Sequence, residues 1–120
     1  MQTDGAPAHQ DVSAMLFAAE AVSRNRDILT EREQAVLRSA TVLVAGCGSV
    51  GGAVVEPLAR LGVMRLRLAD PDRYDVTNLN RQAGVLADVG RSKPEVLAER
   101  VLSINPFAQV TAYQIGRAHV

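Results

Sequence analysis

At 120 residues, 48% hydrophobic and 22% charged, the chain is long enough for one small domain with a real core and has the composition of a globular protein. Thirteen basic and thirteen acidic residues cancel, which gives no electrostatic case for nucleic acid or an anionic membrane, and 3% aromatics without Trp leave no base-stacking surface. Cys47 is the one cysteine, so a disulfide framework and a Cys-only metal site within the chain are excluded. The acidic, polar start MQTDGAPAHQD lacks the segments of a secretory signal and no apolar run reaches membrane-spanning length, so the expected compartment is the cytoplasm.

In chain order, residues 1–10 read as a disordered lead-in and 11–40 as two helices. The first carries Val12, Leu16, Ala19 and Val22 at helical spacing behind Asp11 as cap, a stripe suited to the core or a dimer contact. In the second, Thr30 and Glu33 form a capping box and the helix ends near Arg38. Thr41 to Ala45 is a short β-branched apolar run, as in a strand buried on both faces. A helix through VVEPLARLG stops at Gly62, with Pro57 inside it expected to kink it, since an interior proline costs about 3 kcal/mol. MRLRLAD is a second strand and PDRYDVTNLNRQ a polar loop. Ser92 and Glu95 form a second capping box, with Pro94 in the first turn of a helix running to about Asn105, and AQVTAY is a third strand.

Residues 41–114 thus read as a βαβαβ nucleotide-binding half-domain, the N-terminal half of an α/β, Rossmann-like doubly wound parallel sheet preceded by two helices. Half a sheet leaves apolar faces and edges open and is expected to be poorly soluble alone. The last residues, 115–120, IGRAHV, fit no continuation of the strand. They translate ATC GGA AGA GCA CAC GTC, a common sequencing-adapter sequence, and are expected to be a read-through artefact rather than a polar C-terminus.

Gly46, Gly48 and Gly51 fit G-x-G-x-x-G between a strand and a helix. Such glycines allow a tight turn, close approach of a phosphate to backbone, and close helix–strand packing, while the helix N-terminus supplies oriented N–H groups. Asp70 ends the second strand at the place, about 20 residues on, of a carboxylate accepting from ribose hydroxyls. The turn and carboxylate alone leave NAD, FAD and ATP open. Arg81 and Lys93 beyond them suit a triphosphate, whose β and γ groups need neutralising as pyrophosphate departs. Lys93 opens a helix, where the dipole disfavours a cation by about 0.3–1 kcal/mol unless an anion lies between; otherwise it is a solvated surface lysine.

VLVAGCGSVGG, LADPDRYDVTNLNRQ and GRSKPEVLAERVLSINP together resemble the ThiF/MoeB-like adenylyltransferase family, relatives of ubiquitin-activating enzymes, over about Ser23 to Tyr113. The most specific part is N-L-x-R-Q after D-x-D, then the lysine, then I-N-P. The resemblance implies ATP- and Mg²⁺-dependent adenylation of the C-terminal carboxylate of a small ubiquitin-like or sulfur-carrier protein, with release of pyrophosphate, in a homodimer. It places Gly46, Gly48, Ser49 and Gly51 at the phosphate turn and Asp70, with Asp72 beside it, at the ribose. Thr77, Asn78, Leu79, Asn80 and Arg81 match the adenosine and phosphate strip, and Arg81 and Lys93 the phosphate-binding cations. Arg26, in SRNRD, matches an arginine that reaches the partner subunit's γ-phosphate; the alternative is a charged linker between helices.

Ser49 and Val50 depart from the family's usual G-x-G-G-L-G without upsetting its sterics. The resemblance puts the Mg²⁺-binding aspartate, any zinc-binding CxxC pairs and any reactive cysteine downstream of these residues, so no metal ligand is assigned here. Cys47 reads as a packed thiol and Asp72 as a loop cap in preference to a metal ligand. Two other classes share the glycine turn: an NAD(P)-dependent oxidoreductase, for which Arg81 and Lys93 would be dispensable, and a non-catalytic nucleotide-binding module.

Overall fold

The computed structural model describes residues 8–115. Two helices, α1 (Ala8–Ala21) and α2 (Glu31–Ser39), flank a 3₁₀ turn at Ser23–Asp27 and precede β1 (Thr41–Ala45), α3 (Ser49–Arg60), β2 (Arg65–Ala69), α4 (Lys93–Ile104) and β3 (Gln109–Tyr113). The strands form one parallel sheet in the order β1-β2-β3. This is the expected half of a doubly wound sheet, with each parallel neighbour reached through a helical crossover.

Register decides which face is covered. Val42, Leu66 and Val110 align across the sheet, as do Val44, Leu68 and Ala112, and these rows pack with Val55, Ala59, Leu97, Ala98 and Val101 of α3 and α4. Burying each such Val or Leu is worth about 1.5–3 kcal/mol, so this one layer is the core. The opposite rows, Thr41–Arg65–Gln109 and Leu43–Arg67–Thr111, are mostly exposed, and Leu43 is 61% accessible. The expectation that β1 is buried on both faces is therefore corrected: among the described residues β1 has one strand neighbour and is covered on one side.

The capping box of α2 forms as read, with Thr30 Oγ1 accepting from Glu33 N–H and Glu33 Oε1 accepting from Thr30 N–H. These bonds hold the Glu33 carboxyl below its ordinary pKa. Gly62 takes φ +103° just past α3, and Pro57 lies within the helix, which nonetheless continues to Arg60. Two expectations at the start fail. The first helix begins at Ala8, so residues 8–10 are helical and Asp11 is not its cap; residues 1–7 lie outside the described residues. The predicted stripe is also misplaced, because Leu16 and Ala19 point to solvent while Phe17, Ala18 and Val22 face the body, Phe17 with its ring 5.7 Å from that of Phe107. Of the tail 115–120, only Ile115 lies within the described residues.

α4 starts at Lys93 behind Ser92, with Pro94 in its first turn, but the second capping box does not form. Lys93 N–H donates instead to Asp72 O at 3.1 Å, so a loop carbonyl docks on the helix end and Ser92 Oγ is buried with no partner.

Candidate nucleotide-binding site

The glycine turn is braced from both neighbouring segments. Gly46, at φ +96°, donates its N–H to Ala69 O at 2.7 Å. A Cβ on Gly51 would sit 1.6 Å from Gly46 O, so only glycine closes the turn onto α3. Gly48 differs: a Cβ there would meet nothing closer than the Gln82 amide at 3.8 Å. Packing within the chain does not demand glycine at 48; close approach of a ligand to backbone would. Gly48 is also the N-cap of α3 and offers no side chain to its first-turn N–H groups, and helix ends of this kind suit an anion.

Asp70 lies at this turn, 7% exposed, with both carboxylate oxygens engaged. Oδ2 accepts from Cys47 N–H and Oδ1 from Asp72 N–H, each at 2.7 Å. The predicted ribose acceptor is thus also the brace between the turn and the following loop, with one further lone pair on each oxygen to offer. The Cys47 side chain is fully buried, and desolvation followed by the nearby Asp70 charge pushes its thiol up to about 11, so it is the packed thiol expected.

Asp72 contributes its backbone to the loop, while the side-chain cap is Asp75. Asp75 Oδ1 accepts from Thr77 N–H at 3.0 Å and Thr77 Oγ1–H at 3.1 Å, and Asp75 N–H donates to Asn78 Oδ1 at 2.9 Å. Hydrogen bonds from Thr77 hold the Asp75 carboxyl below its usual range. Thr77 and Asn78 therefore shape the strip through this box. Leu79 is half-buried, and Arg81 is exposed with Nη1 turned back onto Thr77 O at 3.0 Å and Asn80 Oδ1 at 2.9 Å.

Lys93 is not the solvated surface lysine that its position also allowed. It is 6% exposed, and its charge bears on the Cys47 thiol inside the glycine turn. No carboxylate of the described residues lies within ion-pair distance of it; its neighbour is the face of Tyr74, 5.7 Å from Nζ to ring centroid. Besides the Thr77 hydrogen bonds, the Lys93 charge, beyond ion-pair distance, helps to hold the Asp75 carboxyl low. A largely buried lysine at a helix N-terminus is favoured further when an anion joins it.

Arg26 stands elsewhere. Its segment is tied to Gln34 through Asn25 Nδ2–H at 3.2 Å, and Gln34 Nε2–H donates to Leu61 O at 2.7 Å, past the C-terminal end of α3. A helix of this length spans about 18 Å. Arg26 and the chain's own glycine turn are therefore at opposite ends of α3.

Residue reasoning missed two neighbours of the site. Gln82, whose amide covers Gly48 and whose Oε1 is buried without a partner, was visible only as the last letter of the N-L-N-R-Q run. Tyr74, 2% exposed, was signalled by a lone aromatic inside a polar loop of a chain with only four aromatic residues.

The family model described as the ThiF family matches residues 22–117. The chain belongs to the ThiF family. It is 39% identical over 94 residues to the tRNA threonylcarbamoyladenosine dehydratase of Bacillus subtilis, covering 78% of this chain and 37% of that protein. The sulfur carrier protein adenylyltransferase of Thermus thermophilus is 38% identical over 80 residues, 66% of this chain and 30% of the relative. Among solved structures, the dehydratase TcdA of E. coli in complex with ATP superposes with TM-score 0.77 at 35% identity, over 81% of this chain and 40% of that one. The chain thus spans two fifths or less of the length of these relatives. The match confirms the Rossmann-like half-sheet and gives no support to the oxidoreductase reading. No helix among the described residues is long and apolar enough to cross a membrane.

Proposed function

We propose that this ThiF-family protein uses ATP to adenylate the C-terminal carboxylate of a small ubiquitin-like or sulfur-carrier protein. A carboxylate oxygen attacks the α-phosphate, the bond to the β-phosphate oxygen breaks, and acyl-adenylate and pyrophosphate result. The N–H groups at Gly48 and Ser49 hold phosphate, Asp70 receives the ribose, and Arg81 swings from Thr77 and Asn80 to join Lys93 on the departing pyrophosphate. The name of the Thermus relative and the ATP complex of the E. coli relative support this reading. The observation that carries it is Lys93, 6% exposed, with no carboxylate within ion-pair distance among the described residues and with its charge reaching Cys47 in the glycine turn, where α3 has no side-chain cap.

Mg²⁺ is expected to accompany the triphosphate. Among the described residues no group of three or more His, Cys, Asp or Glu side chains converges on a point that could hold a metal, and no residue is assigned to the ion. Arg26, at the wrong end of its own α3, fits a site completed by a second copy of the chain, in a cytoplasmic homodimer.

A second reading rests on the dehydratase relatives: the carboxylate could belong to a modified tRNA nucleoside instead of a protein. The same turn and cations would activate either, although the zero net charge offers no general attraction for RNA. The test is ATP–pyrophosphate exchange by the full-length protein with each substrate class. Exchange driven by a carrier protein, and lowered about 100-fold or more by Lys93→Ala, is expected. Exchange with neither substrate, or full exchange without Lys93, would sink the proposal.

A further inference from the structure

Tyr74 is fixed more tightly than a loop residue needs to be. Its N–H donates to Arg91 O and its carbonyl accepts from Gly90 N–H, both at 2.9 Å, which ties it to the segment leading into Lys93. Its ring lies against Gly84, where a Cβ would come within 2.8 Å of two ring carbons, so the ring packs directly on backbone there. Its hydroxyl is buried with no hydrogen-bond partner, so the residue was not placed there to satisfy its polar end. What the locked ring does contact is the Lys93 ammonium, 5.7 Å from the centroid.

The choice of a π face has a chemical consequence. A carboxylate at this position would neutralise the ammonium and occupy its N–H donors. An aromatic face attracts the cation through its quadrupole and accepts no strong hydrogen bond, so the three donors stay available. None of them has an acceptor among the described residues.

We infer that Tyr74 is a positioning residue for Lys93: its ring face holds the lysine side chain in place and leaves the ammonium donors to the triphosphate. The inference rests on the nucleotide reading above. It assigns Tyr74 an effect on the β and γ phosphates and none on the AMP portion of the ligand.

The test is calorimetric titration of the full-length protein with ATP and with AMP. Tyr74→Phe is expected to bind both within about twofold of wild type, because the face is kept. Replacing Tyr74 by 3,4,5-trifluorophenylalanine, which keeps the shape and empties the face of negative charge, is expected to weaken ATP by about tenfold, the worth of roughly 1.4 kcal/mol, with AMP unchanged. Tyr74→Leu is expected to do the same; should it fail to fold, the fluorinated ring decides. Equal ATP affinity for the fluorinated and Phe proteins, with Lys93→Ala still impaired, would overturn the role of Tyr74 alone. Unchanged ATP affinity in Lys93→Ala would overturn the nucleotide reading and this inference with it.

Discussion

The two ends of α3 bury polar groups on opposite terms. Past its C-terminus, Gln34 is 7% exposed yet donates to Leu61 O and accepts from Asn25, and nearby Asn105 accepts from Phe107 N–H at 3.0 Å. Around its N-terminus, the Tyr74 hydroxyl, Gln82 Oε1 and Ser92 Oγ are buried without a hydrogen-bonding partner among the described residues. Buried polar groups are ordinarily paired, and leaving one unpaired costs about 1–3 kcal/mol. The buried polar groups named at the far end are all bonded, while the glycine-turn end, apart from the doubly bonded Asp70, holds several in reserve. Such local breaches of satisfaction are expected where a protein binds a ligand.

The largest way to break the comparison is Gly51→Ala. The new methyl would overlap Gly46 O, so a loss of more than about 4 kcal/mol, or failure to fold, is expected in urea denaturation. Gln34→Ala strips two partners at the satisfied end and should cost about 1–3 kcal/mol in the same measurement, with ATP affinity unchanged. Lys93→Met keeps the apolar stem and should change stability by less than about 1 kcal/mol while abolishing ATP binding. If both variants destabilise alike, the contrast between the ends is wrong.

The smallest effect concerns pH. The Cys47 thiol is raised from 9.0 to about 11, so the folded chain holds this proton more tightly than the unfolded one. Its contribution is fully present below pH 9 and is lost as pH rises through about 11. Tyr74, pushed up to about 12 chiefly by burial, extends that loss further into alkali. Chemical denaturation of Cys47→Ala between pH 8 and 11 should show a shallower decline than wild type, and iodoacetamide should label native Cys47 far more slowly than the unfolded thiol.

Much of the fold was legible because local chemistry agreed with it. The β1 run, the glycine turn, the Gly62 stop and the Thr30–Glu33 box are each decided by a few neighbouring residues, and each appears where it was read. The misreadings share one cause. Ser92 carried a good capping signature, yet its hydroxyl makes no cap bond, and the neighbouring Lys93 N–H is met by the carbonyl of Asp72 in the preceding loop. Apolar spacing in α1 and the continuous apolar run of β1 told that some face would be covered, not which one, since that depends on which elements pack there.

By itself the amino-acid order determined that a phosphate-accepting turn joins strand to helix, and that Asp70, Arg81 and Lys93 follow it at intervals suited to a nucleotide. These are matters of backbone freedom and short-range spacing. Only the tertiary structure decided that Asp70 spends both oxygens bracing the turn, that Lys93 is buried against Tyr74, and that Arg26 stands at the other end of α3. Burial and long-range pairing depend on how distant segments pack, and no local pattern encodes the partner that a side chain will meet.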